Sequence, residues 1–275
     1  LSVLAKESYF IQSELFANSL KLGRRQTGVV YYDCTNYFFE TEQEDCDSSG
    51  AKGLRTYGFS KEHRPIPSVQ MGLFLDFEGL PLAFCINPGN TNEQTTLRPL
   101  EQKLNRDFGL SNIVVCTDAG LSSMDNRKFN SVAGRNFITT QSVRTLPEFL
   151  QQWALNPHGW HLAGSGETFS LNDIDTSSDR NPTFYKERWI NEHGFEQRLI
   201  VTYNPKYAEY SRQLRRKHVA KAEAVIENGY AKILDAKNTR DYKRYISSVN
   251  TPPDGEPAEK TVYEIDDDKI SRDEM

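Results

Sequence analysis

The pattern of apolar and polar positions divides the first part of the chain into elements of different periodicity. Apolar residues at helical spacing over residues 3–20 predict a helix. Valine and aromatic residues dominate residues 28–40, which predicts a long strand. The acidic stretch over residues 40–50 contains serine and glycine and therefore predicts a loop.

Two more strands are predicted to form a hairpin directly after this loop. Residues 69–75 and 81–86 are rich in apolar residues and flank Asp76-Phe77-Glu78-Gly79. This tetrapeptide has the polar and glycine residues that tight turns favour. The pattern therefore places three strands next to one another in sequence.

The remaining elements of this region give the order three strands, helix, strand, helix, strand. Thr91, with Gln94 three residues later, predicts the capped start of a helix. A strand over 113–117, a short helix over 125–132 and a strand over 136–140 follow. This order predicts an α/β fold with a ribonuclease-H-like mixed sheet and flanking helices, in which the first and fourth strands are neighbours.

The pattern changes beyond residue 146. Two segments with alternating apolar residues, 185–190 and 196–203, flank an Asn-Glu-His-Gly turn and predict a second hairpin. A basic helical pattern follows them. The predicted organisation is an N-terminal helical segment at 1–27, the first part of the core at 28–145, a β-rich insertion subdomain with a basic helix at 146–265, and a linker back to the core at 266–275.

The composition excludes an integral membrane protein. With 37% hydrophobic and 26% charged residues, the 275-residue chain has the balance of a soluble protein with a substantial core. No apolar run approaches the roughly 20 residues that cross a bilayer, and no signal-peptide layout begins the chain. The four cysteines lack the CxxC spacing of zinc sites. We therefore predict a cytoplasmic, nucleoid-associated protein with no membrane partner.

The basic residues are concentrated, although the net charge is only −5. Between 206 and 244, Lys and Arg outnumber acids by eleven to five, whereas between 254 and 274 acids outnumber bases by nine to three. Arg215, Arg216 and Lys217 lie within the helical pattern, where they could neutralise DNA phosphates or form a solvated face. In the same helical pattern, the apolar residues have spacings that can make a stripe along one face; they are Tyr207, Tyr210, Leu214, Ala222 and Val225.

In two of the predicted strands, a short apolar run leads directly into an aspartate. The strand that begins at residue 28 carries Asp33, and the strand over 113–117 is followed by Asp118. If these strands are neighbours, the two carboxylates converge, and a divalent cation would offset their repulsion. Because aspartate also commonly starts a turn, each residue alone has a structural explanation. The pair is therefore a candidate metal site.

Five short motifs, taken together and in order, resemble those of bacterial insertion-sequence transposases. They are Tyr32-Asp33-Cys34-Thr35, Gly58-Phe59-Ser60-Lys61-Glu62-His63-Arg64-Pro65, Gln70-Met71-Gly72-Leu73, Pro88-Gly89-Asn90-Thr91-Asn92-Glu93 and Thr117-Asp118-Ala119-Gly120. The family that the chain resembles is the Asp-Asp-Glu (DDE) transposases of the insertion-sequence-four superfamily. The resemblance extends through most of 28–145 and, more loosely, through 196–203.

This resemblance implies a DNA transposase that cleaves phosphodiester bonds at the element ends and transfers the strand to target DNA. Asp33 and Asp118 match the first two catalytic acids, which in a two-metal mechanism hold Mg²⁺ or Mn²⁺ ions about 4 Å apart. The implied partners are double-stranded DNA, at the terminal inverted repeats and the target, and further copies of the chain assembled on DNA. Lys61, His63 and Arg64 could contact phosphates, or form a solvated loop.

The third acid is where the sequence departs from the family pattern, Tyr-x-x-Arg-x-x-x-Glu-x6-Lys. Tyr185, Arg188 and Glu192 match its first part, but Leu199 stands at the lysine position and Glu192 falls in a predicted hairpin turn. We therefore expect the catalytic glutamate beyond Met275 and the chain to be an inactive fragment. Two alternatives remain: a relic or repurposed protein that binds DNA without cutting it, and a ribonuclease-H-like nuclease without strand transfer.

Overall fold

The computed structural model describes residues 2–46, 50, 53–58, 65–174, 182–228, 242–249 and 262–274. The chain divides into two compact units, Leu1–Leu146 and Pro147–Met275. Among the described residues, no helix combines the length and the apolar character needed to cross a bilayer.

The first unit is built on a five-stranded sheet. Its strands are β1 (Val29–Phe38), β2 (Ser68–Asp76), β3 (Pro81–Pro88), β4 (Val114–Thr117) and β5 (Asn136–Thr139). They lie in the order β3-β2-β1-β4-β5. The first three strands are antiparallel, whereas β1, β4 and β5 are parallel. The predicted fold class, a ribonuclease-H-like mixed sheet with flanking helices, is confirmed, including the adjacency of the first and fourth strands.

Four α-helices of the described residues accompany this sheet. They are α1 (Ser2–Lys6), α2 (Ser8–Leu22), α3 (Glu93–Phe108) and α4 (Met124–Phe129). The predicted cap of α3 was wrong: Asn92 rather than Thr91 is the N-cap residue, and its side chain accepts a hydrogen bond from the Gln94 amide. The helix ends at Gly109, whose φ of 68° is the left-handed conformation that glycine adopts easily.

Alternation along β1 decides which side chains enter the core. Val30, Tyr32 and Cys34 are buried, whereas Tyr31 and Asp33 on the opposite face are exposed. The Tyr32 hydroxyl and the Thr96 hydroxyl of α3 are 2.6 Å apart and share a hydrogen bond. The core therefore lies between the sheet and α3, and Asp33 faces away from it.

The second unit contains a four-stranded sheet in the order β7-β6-β8-β9. Its elements are α5 (Glu148–Leu155), β6 (Trp160–Leu162), β7 (Thr168–Phe169), β8 (Phe184–Glu192) and β9 (Phe195–Tyr203). The last two strands are the predicted second hairpin, and His193 and Gly194 at its tip both have positive φ. Lys186 is buried on this sheet, where its ammonium donates to the carbonyls of Trp153 and Asn156 at 2.6 Å.

The basic helical pattern forms α6 (Pro205–Glu227), which packs in a hydrophobic cluster of this unit. The cluster also contains β10 (Ile246–Val249), β11 (Val262–Ile265) and α7 (Asp267–Glu274). The residues of the predicted apolar stripe differ in burial along the helix. Ala222 and Val225 pack in this cluster, whereas Tyr207, Tyr210 and Leu214 are exposed. Most of the segment interpreted as a linker, 266–275, is the helix α7.

Candidate active site

Asp33 and Asp118 follow the last mutually paired residues of the adjacent central strands β1 and β4. The parallel register between β1 and β4 ends with Tyr32 opposite Thr117. Asp33 directly follows Tyr32, and Asp118 directly follows Thr117. The Asp118 backbone is extended, with φ −80° and ψ 179°. Because adjacent strands lie about 4.8 Å apart, the two backbones are neighbours here. Both aspartates are exposed.

Local hydrogen bonds hold the backbone around this pair. The Asp33 carboxylate accepts from the Cys34 amide at 2.8 Å. The Asp118 carbonyl accepts from the Thr139 hydroxyl at 3.1 Å, and Thr139 in turn accepts from the Thr117 hydroxyl at 3.0 Å. These bonds tie the end of β4 to β5, so Asp118 starts from a fixed backbone.

Glu93 is a candidate site residue that the sequence analysis did not assign. A Cβ atom placed on Gly120 would lie 3.3 Å and 3.6 Å from the two Asp118 carboxylate oxygens, and 3.6 Å from Oε2 of Glu93. The two carboxylates therefore border one small space, and the lack of a side chain at Gly120 keeps it open. Glu93 closes the Pro88–Glu93 motif, which was the available sequence signal.

The buried groups beneath the site are uncharged. Burial raises the pKa of the Cys34 thiol, and the negative charge of Glu93 adds to this effect. Burial also raises the pKa of the Tyr32 hydroxyl far above its ordinary value. Both groups are therefore protonated at neutral pH, and they leave the carboxylates at the surface as the local negative charges.

The site brings carboxylates together without forming a three-ligand cluster. Within the described parts of the chain, no group of three or more His, Cys, Asp or Glu side chains is placed to hold a metal ion. Glu192 is the last residue of β8, next to the hairpin turn, and accepts from the Gln197 amide group at 2.9 Å. It lies in the second unit, as a hairpin residue.

The residues predicted to contact DNA have different environments. Lys61, His63 and Arg64 lie outside the described residues. Arg215 is largely buried: it donates to the Asp273 carbonyl and forms an ion pair with Glu274 at 3.8 Å. Arg216 and Lys217 are exposed on α6. Arg215 therefore joins α6 to α7, whereas Arg216 and Lys217 face solvent.

Comparison with known proteins gave likenesses in solved structures alone. No protein-family model and no curated protein matches the sequence. A Mos1 transposase paired-end complex with left transposon end is similar at 16% identity and TM-score 0.28, over 48% of this chain and 40% of that one. A Mos1 mariner paired end complex with Mn gives 16% and 0.27, over 48% and 41%.

A piggyBac transposase synaptic complex with hairpin DNA is similar at 10% identity and TM-score 0.32, over 66% of this chain and 33% of that one. The chain thus spans about two-fifths of the Mos1 chains and a third of the piggyBac chain.

Proposed function

We propose that the first unit is the catalytic core of a DNA transposase of the Asp-Asp-Glu type, from the insertion-sequence-four superfamily. The reaction would be cleavage of phosphodiester bonds at the ends of an insertion sequence, followed by strand transfer into target DNA. The observation that carries this proposal is the adjacency of Asp33 and Asp118 where β1 and β4 stop pairing. Ligands of open α/β sheets bind at the carboxyl ends of parallel strands.

The residues at this end of the strands fit a hard divalent cation. Asp33 and Asp118 supply the carboxylate oxygens that Mg²⁺ and Mn²⁺ favour. Gly120 leaves open the space beside Asp118 and Glu93 that a side chain would fill. We propose that Asp33 and Asp118 hold the cations and that Glu93 adds negative charge next to Asp118.

Each residue of the site has a defined part in this proposal. Divalent cations held by Asp33 and Asp118 would activate the attacking water or 3′-hydroxyl and neutralise charge on the departing oxygen. Asp33 orients one carboxylate from inside β1, where pairing with β2 fixes the backbone on its other side. The Thr139 hydroxyl donates to the Asp118 carbonyl, so it fixes the backbone from which the second carboxylate extends.

Double-stranded DNA is the proposed partner, bound at terminal inverted repeats and at the target by copies of the chain assembled together. Arg216 and Lys217 would neutralise phosphates in this assembly. Lys61, His63 and Arg64 remain proposed phosphate contacts from the sequence. Each cation that contacts a phosphate in duplex DNA contributes about 0.9 to the salt dependence of binding.

Cation binding tests the site apart from any activity. Titration of the chain with Mn²⁺, followed by electron paramagnetic resonance, should show binding that weakens in Asp33→Asn and in Asp118→Asn. The loss should exceed the about 10- to 100-fold that follows removal of an outer-shell partner. Asp125→Asn is the matched control, because the Asp125 side chain is 75% exposed on α4. Equal Mn²⁺ affinity in all four proteins would refute the metal site.

Cleavage tests the function. The product of the whole reading frame, incubated with a supercoiled plasmid that carries the DNA flanking its gene, should nick it in Mg²⁺ and not in EDTA. Asp33→Ala and Asp118→Ala should abolish nicking, and undiminished cleavage in either variant would refute the assignment.

A DNA-binding relic that does not cut is the second candidate. It is favoured by the lack of a three-ligand group among the described residues. Metal-independent DNA binding without nicking would support the relic. Nicking without joined products would instead indicate a ribonuclease-H-like nuclease.

A further inference from the structure

The N-terminal half of α6 exposes a contiguous aromatic surface. Tyr207 is 71% exposed, Tyr210 61% and Leu214 42%. They are three and four residues apart, so they lie on one face of the helix. The two tyrosine rings are neighbours, with centroids 6.4 Å apart. Scattered exposed apolar residues are ordinary, but a contiguous group indicates a surface that binds something.

The charges on α6 are arranged around this surface. Lys217 is exposed and follows Leu214 by three residues, so it continues the same face. The acids of the helix, Glu209, Glu223 and Glu227, share a different face, since their spacings of 14 and 4 residues return to one side. Glu209 is also paired with Arg212 at 2.7 Å. The aromatic surface is therefore bordered by a cation and turned away from the acids.

Aromatic rings beside cations suit unpaired nucleotides. A base that has left a duplex offers a flat face on which a tyrosine can stack, while its phosphates need positive charge. In duplex DNA the bases are already stacked on one another. A duplex would therefore contact Lys217 through its phosphates but would not stack on Tyr207 or Tyr210. A partner protein that binds through apolar contacts alone would make no favourable contact with the Lys217 ammonium.

We propose that Tyr207 and Tyr210 form a stacking platform for unpaired bases of a DNA strand whose phosphates contact Lys217. The proposal rests on the proposed function, because strand cleavage at an element end is what would supply an unpaired strand. It adds a ligand, single-stranded DNA, to a helix whose predicted role was contact with duplex phosphates.

Binding of two DNA forms tests the platform. Fluorescence polarisation would compare the whole 275-residue chain on a labelled oligothymidine of about 12 nucleotides and on a duplex of mixed sequence. Tyr207→Leu/Tyr210→Leu keeps apolar side chains on the helix but removes both rings. It should weaken single-strand binding about 5- to 150-fold for each ring that stacks, with duplex binding unchanged.

Two further variants complete the design. Phe10→Leu is the matched control, because Phe10 is an equally exposed aromatic residue, at 62%, on α2, and it should bind both DNA forms like the unmodified chain. Lys217→Gln should lower the salt dependence of single-strand binding by about 0.7. Circular dichroism should be the same for all variants, since all three aromatic side chains are at the surface.

Three outcomes would overturn the platform. They are single-strand affinity unchanged in the tyrosine variant, an equal loss of affinity for duplex DNA, and failure of the unmodified chain to bind oligothymidine. If the first outcome comes with a changed gel-filtration volume, the surface is a protein interface. The Asp33→Asn variant separates a failure of the platform from a failure of the proposed function.

If Asp33→Asn abolishes nicking while oligothymidine fails to bind any variant, the transposase proposal stands and the platform is refuted. If binding of oligothymidine depends on the tyrosines but no metal-dependent nicking is found, the platform stands and the transposase proposal is refuted.

Discussion

Gly72 offers a sharp test of how the core beneath the candidate site is packed. It lies on β2 opposite Cys34 of β1 and Cys85 of β3. A Cβ atom on Gly72 would overlap the Tyr32 hydroxyl oxygen, with Tyr32 Cζ at 2.8 Å and the Cys85 sulfur at 3.1 Å. The Tyr32 ring packs on Phe74 with centroids 4.7 Å apart, and its hydroxyl is bonded to Thr96, so the ring has little room to retreat.

The expected cost of Gly72→Ala follows from these contacts. Overfilling a well-packed core costs about 1–3 kcal/mol. Displacing the Tyr32 hydroxyl from Thr96 costs about 1 kcal/mol more. Replacing a glycine that has an ordinary φ by alanine stabilises the fold by about 0.4–1 kcal/mol, because it lowers the conformational entropy of the unfolded chain. We therefore expect the free energy of unfolding of the first unit to fall by about 1–3.5 kcal/mol.

Urea unfolding followed by circular dichroism measures this change. Gly28→Ala is the control, because no atom lies within 4 Å of the Cβ it would add, and its stability should stay within about 1 kcal/mol of the original. Tyr32→Phe removes the overlapping oxygen, so combining it with Gly72→Ala should cost at least about 0.5 kcal/mol less than the two changes added. Full additivity, or a Gly72→Ala protein of unchanged stability, would refute the proposed packing.

Three other changes probe the first unit. Arg25→Met should destabilise it by about 3–5 kcal/mol in urea unfolding, because the buried Asp76 carboxylate would lose its ion pair at 2.6 Å. Burial raises the pKa of Glu101 to about 7, so ionisation of this group destabilises the fold as pH rises from about 4.5 to 7. Glu101→Gln should remove up to about 3 kcal/mol of that dependence, measured by thermal unfolding across this range. Glu93→Gln should lower Mn²⁺ affinity about 10- to 100-fold if its carboxylate acts beside Asp118, and unchanged affinity would exclude that role.

The order of the strands could be predicted because the turn and the helix that connect them depend on residues close in sequence. The turn at 76–79 is fixed by Asp76, whose carboxylate accepts from the amides of Glu78 and Leu80. Once the hairpin and the helix after it are formed, the usual right-handed crossover connection brings β4 into the sheet beside β1 and parallel to it. The helix cap was harder to place, because Thr91 and Asn92 are both good capping residues and only the backbone geometry selects Asn92.

Features that depend on distant partners could not be predicted in this way. Residues 93 and 118 are joined by no local pattern, and their proximity requires α3 to start beside the turn that follows β4. The apolar positions of α6 have helical spacing throughout, but only those near Ala222 and Val225 meet the cluster that contains β10 and β11. Periodicity shows that a face is apolar, whereas the tertiary partner decides which part of it is buried.

The unequal lengths of β1 and β4 explain why an acid pair at this point can meet a large substrate. Strand β1 continues to Phe38 and stays paired with β2 throughout, whereas its pairing with β4 ends at Tyr32. From Asp33 onwards, β1 therefore lacks its β4 neighbour, and the chain turns away at Asp118, Ala119 and Gly120. A longer β4 would place paired backbone beside Asp33. The short strand and the glycine after it instead leave both carboxylates open to solvent, which is the access that a DNA backbone would need under the proposed function.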